Sequence, residues 1–507
     1  MAKLPEKRAV IIAKISKEEA EKVKFEEFAD TDEDRRRRLL LILSRDYHLY
    51  REYLSEEEAL KFSIQTLEKQ RERWTKKTPD KLKADCPKLV MKAYMLSLDP
   101  HSEYMDEEDV EQFETSMQRE FFGIGVQIRG APLGAQVIEV IKGGPAGKDG
   151  RLQPSDQIIK VDDEVLAGQP LSQIVRRIKG QKGTQVRLTL RKAAGPGNEQ
   201  RLAEIELVRD TIDLTTLKVV GKRFESAAGP VGAISVQSFY NGVSGDVADR
   251  IRQLNEPTPL AGLVLDLRNN TGGLLTEARD MAGLFIHAGP IVGEQGARGP
   301  TRWLYDPDEN LVFAKPLVVL VNQFSASASE IVAGALRDYG RAVIVGSSQT
   351  HGKGTVQRIQ DLDMAGVPGK IKVTFMQWFL AGGDSVQIKG VVPDISIPGM
   401  KVIEEFLEKG YEGAVPASQV ESRLNPQHPD LKFYSAWKAG VLPKLIERSA
   451  KRVKENKDFD LFRQAEKGEP PPEPKPKKEE LKDPQLEEAA HIAGDAAEGW
   501  KDPPPLE

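Results

Sequence analysis

Residues 322–357 read NQFSASASEIVAGALRDYGRAVIVGSSQTHGKGTVQ, where Ser325, Ser327 and Ser329 alternate with alanines and Lys353 stands between two glycines. Serine is a weak nucleophile until a base takes its proton, and a lysine can be that base when its amine is neutral. An unperturbed lysine titrates near ~10.4, so burial has to disfavour its charged form. Gln357 is a neutral group that could orient the amine without stabilising its charge, as a carboxylate would. LDLRNNTGGLL (265–275) adds Gly272 and Gly273. Their N–H groups, with the amide of Ala328, could make an oxyanion hole. Bland readings stand beside each of these: Ser325 or Ser327 as a plain helix N-cap, and Gly-Gly as an ordinary turn.

The elements around these residues would bring them together. PLVVLVN and RAVIVG are continuous apolar runs, each followed by one of the two clusters, and GLVLDLR precedes the third. Such runs alternating with helices from about residue 229 onward predict a parallel sheet covered on both faces. Ligands bind at the carboxyl ends of strands in sheets of this kind. If RAVIVG lies beside LVVLVN, Lys353 returns to the serine cluster at that edge. The NQFSASASE segment opens a helix there, with unpaired N–H groups and the positive end of the helix dipole.

Elsewhere, residues 32–117 read as several helices. From FFGIGVQI (121–128) to about 191 the pattern is short strands, turns and one helix: IGVQI, AQVIEVI, DQIIKVDDEVL, LSQIVRRIKG and TQVRLTLRK. AAGPGNEQ (193–200) reads as a loop and EKGEPPPEPKPKKEE (466–480) as an extended linker. DPQLEEAAHIAGDAAEGW reads as one last helix.

Composition bounds the rest. The chain has 507 residues, 39% apolar and 30% charged, with a formal net charge of -5. It is too long for one hydrophobic core, and the charge gives no case for nucleic acid. The single cysteine, Cys86, excludes an intrachain disulfide, and the 6 histidines show no metal-ligand spacing. No metal or nucleotide cofactor is expected, and no G-x-x-x-x-G-K-[ST] pattern is present. RRRRLLLIL (35–43) looks like an export signal, but its apolar run is too short for one, and a helix turn is expected instead.

Taken together, SLDPHSEYM (97–105), FFGIGV, the Gly-Pro-Ala of IKGGPAGKDG, LDLRNNTGG, SASASE, GKGTVQ and KGVVPDISIP make the chain resemble the C-terminal processing peptidases, specifically the tail-specific protease branch. The resemblance runs from about residue 36 to 490. It implies a multidomain α/β protein: a helical N-terminal region (1–118), a PDZ domain (119–212), a crotonase-like α/β serine peptidase core (213–400) and a helical C-terminal region (401–507). It implies a Ser–Lys dyad of Ser327 and Lys353 supported by Gln357, with His351 as loop packing and Asp338 structural. Residues 121–191 resemble a PDZ domain. Its carboxylate loop would be Gly123-Ile124-Gly125-Val126, with apolar residues lining a pocket for a non-polar carboxyl terminus. Ser155-Asp156 stands where that family has Gly-Asp.

The resemblance further implies a serine endopeptidase acting on flexible or unfolded tails, in the periplasm or cell envelope. A lipoprotein adaptor and a homodimer through the helical arms are compatible partners, and no secretory signal is visible in MAKLPEKRAVIIAKISKEEAEK. The rivals are a non-catalytic PDZ peptide-binding scaffold with a degenerate core and a crotonase-like acyl-CoA enzyme. Intact Ser327, Lys353 and Gln357 argue against the first; the fused PDZ domain argues against the second.

Overall fold

The structure is a computed structural model that describes residues 15–21, 31–51, 55–75, 79–117, 120–192, 202–213, 218–307, 310–362, 367–425, 431, 433–466, 483–498 and 500. The expected loop 193–200 and all of the expected linker except Glu466 lie outside these. The chain divides into two compact units, Met1–Asp85 with Glu120–Asp213, and Cys86–Arg119 with Leu214–Glu507.

In the first unit, RRRRLLLIL falls inside the helix Asp32–Arg51, as its helical reading predicts. The strand-rich part is an antiparallel sheet in the order Val126–Ala131, Gly134–Val140, Gln157–Val161, Gln185–Arg191, Leu202–Val208. Its core gathers Val137, Ile158, Ile174, Val186 and Leu188. DQIIKVDDEVL is broken by a turn with Asp162 at φ 54°, and Glu164–Val165 is a separate short strand. Ser155 sits at φ 74°, the left-handed region that glycine enters without cost. The chain thus keeps the backbone of a Gly-Asp turn while paying for a side chain there.

The second unit is built on one sheet. Its strands are β1 (Val219–Phe224), β2 (Val231–Val236), β3 (Gly262–Asp266), β6 (Leu317–Val321), β7 (Ala342–Gly346) and β10 (Ile395–Ser396), in that spatial order. β1 is antiparallel to β2, and every other neighbouring pair is parallel. β3, β6 and β7 are buried at every position, as expected of strands covered on both faces. Alternate residues divide between two cores. Leu263, Leu265, Val319 and Ile344 pack with the helices α1 (Val243–Leu254), α2 (Leu275–Gly283) and α3 (Ala328–Asp338). Val264, Val318, Leu320 and Val343 pack with α4 (Ser435–Glu455) and α5 (Pro484–Ala497).

A second, antiparallel sheet has the order Glu103–Met105, β9 (Lys370–Leu380), β4 (Pro290–Gly296), β5 (Arg302–Tyr305), with β8 (Thr355–Asp361) also paired to β9. Pairing of Glu103 with Lys372 and Tyr104 with Ile371 ties residues 86–119 to this unit rather than to the helices before them. Helical composition alone had grouped them with those helices. In the same way α5, expected in a terminal region apart from the core, closes the second face of the main sheet.

Candidate active site

Three loops leave the carboxyl ends of adjacent parallel strands β3, β6 and β7, where Val321 pairs with Gly346. They carry Gly272 and Gly273, the serine run and Lys353 respectively. Cross-bonds lock the first two together. Ser325 Oγ donates to the Leu267 carbonyl (2.8 Å), Ser329 Oγ to the Asn270 carbonyl (2.8 Å), and the Ala326 N–H also to Asn270 (3.0 Å). Ser325 and Ser329 are fully buried, whereas Ser327 is partly exposed. Burial and hydrogen bonding therefore single out Ser327 from the three.

Ser327 stands at the N-cap position of α3 but makes no side-chain cap hydrogen bond, and its backbone is unlike an ordinary cap. Its φ of 55° and ψ of -113° are strained for a residue with a side chain. Small neighbours permit this. Gly272 lies so close that a Cβ there would sit 2.8 Å from the Ala326 carbonyl oxygen and 2.9 Å from Ser327 Cβ. Its own φ is 101°. The Gly272 N–H donates to Asn270 Oδ1 at 2.9 Å. This corrects its expected role: Gly272 serves by close approach, and its N–H is already used. The N–H groups of Gly273 and Ala328 have no hydrogen-bond partner among the described residues. Ala328 begins α3, where N–H groups lack intrahelical acceptors.

Glu330, the last residue of SASASE, was given no role in the sequence reading. Its fully buried carboxylate accepts the N–H groups of Ser327 (2.8 Å), Gly352 (2.7 Å) and Lys353 (2.9 Å) and the hydroxyl of Thr350 (2.5 Å). One side chain thus holds the serine loop and the lysine loop in register. Burial pushes this carboxyl up to about 7, while the four donors favour its ionised form. Its position at the third helical residue after a serine is the sequence signal of a capping box.

Lys353 has its pKa lowered to about 8, first by burial and then by the cation of Lys372, against the opposing pull of Glu408, Glu330 and Asp99. A usable fraction of neutral amine therefore exists near neutral pH. Gly352 precedes it at φ 97°, and a Cβ there would lie 3.0 Å from the Ile388 backbone. His351 behaves as packing: its N–H binds the Ser325 carbonyl (3.0 Å), its ring lies 5.8 Å from that of Tyr411, and burial lowers its pKa. Asp338, at the far end of α3, accepts the Gly382 N–H (3.0 Å), a structural role.

Gln357 lies on β8, and its Nε2 donates to the hydroxyls of Thr355 (2.9 Å) and Thr374 (3.0 Å). Among the described residues no hydrogen bond joins Lys353 to Ser327 or to Gln357. In the first unit, Val126–Ala131 is an edge strand of its sheet, and Gly125 has φ 76°. Gly123 is buried at the end of the strand Glu120–Gly123. Ile124 departs from its expected place. Only 1% exposed, it belongs to the domain core with Val126 packed against it, because its carbonyl is pinned by the Ala146 N–H (2.8 Å).

The model of peptidase family S41 matches residues 230–397, and that of the PDZ domain matches residues 112–191. A probable CtpA-like serine protease of Staphylococcus epidermidis is 33% identical over 360 residues, covering 71% of this chain and 69% of that protein. The chain belongs to peptidase family S41. Members of this family are serine peptidases, and the chain carries the family's PDZ domain ahead of its α/β core. The carboxy-terminal-processing protease of Bartonella bacilliformis is 36% identical over 323 residues, covering 63% of this chain and 70% of that one. The tail-specific protease of Haemophilus influenzae is 34% identical over 350 residues, which are 67% of this chain but 49% of that protein. The S41 chain thus spans about half the length of that relative. Among solved structures, the photosystem II D1 C-terminal processing protease is 26% identical and covers 74% of this chain and 98% of its own, with a TM-score of 0.39.

Proposed function

We propose that this S41 chain is a serine endopeptidase in which Lys353 deprotonates Ser327 and the PDZ domain captures a non-polar free carboxyl terminus. The observation that carries the reading is the strained, partly exposed Ser327 held in one loop cluster with a lysine of lowered pKa. Ser327 Oγ attacks the peptide carbonyl, its proton passes to Lys353 Nζ, and the oxyanion is met by the N–H groups of Ala328 and Gly273. Lys353 then gives its proton to the leaving amine, and water releases the acyl group from Ser327 by the reverse transfers. Gln357 supports the amine without adding a negative charge beside it.

The edge strand Val126–Ala131 suits addition of a peptide strand, with the Gly123–Val126 segment at its start for the terminal carboxylate. With no ATP-driven unfolding motif in the chain, flexible or unfolded tails are the substrates it serves. A periplasmic or cell-envelope location, a lipoprotein adaptor and a homodimer belong to the same proposal and rest on the family resemblance.

A fluorophosphonate probe tests the nucleophile. Peptide mapping by mass spectrometry should place the adduct on Ser327, with labelling that quickens as pH rises through about 8. An adduct on Ser325 or Ser329, or none at any pH, would overturn the assignment.

A further inference from the structure

The segment SLDPHSEYM (97–105) is far from Ser327 in sequence. The structure puts it against the back of Gln357. Asp99 is 6% exposed and Ser102 fully buried. The Asp99 carboxylate accepts the His101 N–H (2.9 Å), the Thr374 hydroxyl (2.8 Å) and the Ser102 hydroxyl. Ser102 Oγ in turn accepts the Thr374 N–H at 3.0 Å. Thr374 is the cross-strand partner of Gln357 between β9 and β8.

The direction of each bond follows from what the groups can do. An ionised carboxylate only accepts, so Thr374 must turn its single hydroxyl proton toward Asp99. Thr374 Oγ1 can then only accept from Gln357, and the group it faces must be the amide nitrogen. The second amide hydrogen goes to Thr355 Oγ1 (2.9 Å). Both donors of Gln357 are thereby spent, and what the side chain has left to offer is Oε1, an acceptor. Without Asp99, Thr374 could donate to Gln357 instead, and the amide could flip and present N–H groups to a lysine that itself only donates when charged.

We infer that Asp99, acting through Thr374, is a positioning residue that fixes the amide of Gln357 with its oxygen free to accept from Lys353. The inference rests on the proposed role of Gln357. Asp99 touches no reacting atom; apart from its electrostatic pull on Lys353, its effect on Gln357 passes through the Thr374 hydroxyl. The SLDPHSEYM segment is held in place for this by the pairing of Glu103–Met105 with β9.

The test is a cycle of full-length variants, Thr374→Val, Gln357→Ala and the double variant, with Thr374→Ser as the conservative control. A quenched fluorescent peptide with an apolar free carboxyl terminus serves as substrate, and thermal unfolding verifies each fold. Thr374→Val should lower kcat about tenfold with KM unchanged, the loss of one oriented hydrogen bond. Thr374→Ser should stay near wild type, and the double variant should match Gln357→Ala, because the two act as one unit. Should Thr374→Val not fold, Asp99→Ala takes its place, assayed on the high-pH plateau where the lost charge beside Lys353 does not enter, with the same expectations. Wild-type kcat in Thr374→Val or the variant that replaces it, or losses that multiply in the double variant, would overturn the inference. An unaffected Gln357→Ala would instead remove the role of Gln357, and a wild type that leaves the peptide uncut would remove the peptidase reading beneath both.

Discussion

The proposed chemistry turns on two buried titrations at one loop cluster. Lys353 works as a base only when neutral, and burial brings its pKa to about 8. The neutral fraction rises with pH, so kcat/KM should climb about tenfold per pH unit below that value and level off above it. A pH–rate profile with saturating and limiting peptide checks this. Lys353→Arg should be inactive at every pH, because arginine does not deprotonate. Glu330 gives a separate prediction. Glu330→Gln places an amide where the Ser327, Gly352 and Lys353 N–H groups all need an acceptor. Leaving buried donors unsatisfied costs about 1–3 kcal/mol each, so this variant should unfold at lower temperature and lose about a hundredfold in kcat.

At the scale of elements, the close approach of the β3 loop to the start of α3 sets the strained Ser327 backbone. Gly272→Ala adds a Cβ into that contact at a φ of 101°. It should lower both activity and the thermal midpoint by displacing the serine loop, without touching Lys353. Ser155→Gly, at φ 74°, should leave activity unchanged and stabilise its unit by up to about 1 kcal/mol in urea unfolding. Much of this was legible in sequence. The apolar runs LVVLV and AVIVG dictated buried parallel strands, and their adjacency put the Lys353 loop beside the serine loop. Other features were not, because they depend on partners distant in the chain. Nothing in SLDPHSEYM says that Asp99 faces Thr374. A capping-box glutamate such as Glu330 looks the same whether or not a second loop docks on it. Ile124 was read as pocket lining because an apolar residue between glycines suits either a groove or a core, and only the domain's packing decides.

At the scale of the whole molecule, the catalytic edge is tied to the C-terminal helix. Arg268, in the loop after β3, binds Asp266 through Nε (2.9 Å) and reaches Asp483 (3.0 Å) and Gln485 (2.9 Å) at the start of α5. α5 lies so close on β3 that a Cβ at Gly262 would be 2.9 Å from the Ala493 carbonyl oxygen. Arg268→Met should therefore strand the buried Asp266 and cost about 3 kcal/mol in urea unfolding, with activity falling as the edge loosens. The central claim is narrower: Ser327 is the nucleophile and Lys353 its base. The most direct measurement incubates wild type, Ser327→Ala and Lys353→Ala with a loosely folded protein ending in apolar residues and follows cleavage by mass spectrometry. Cleavage by the wild type, with loss of at least about a thousandfold in both variants, is the predicted result. Cleavage by Ser327→Ala at the wild-type rate would contradict it.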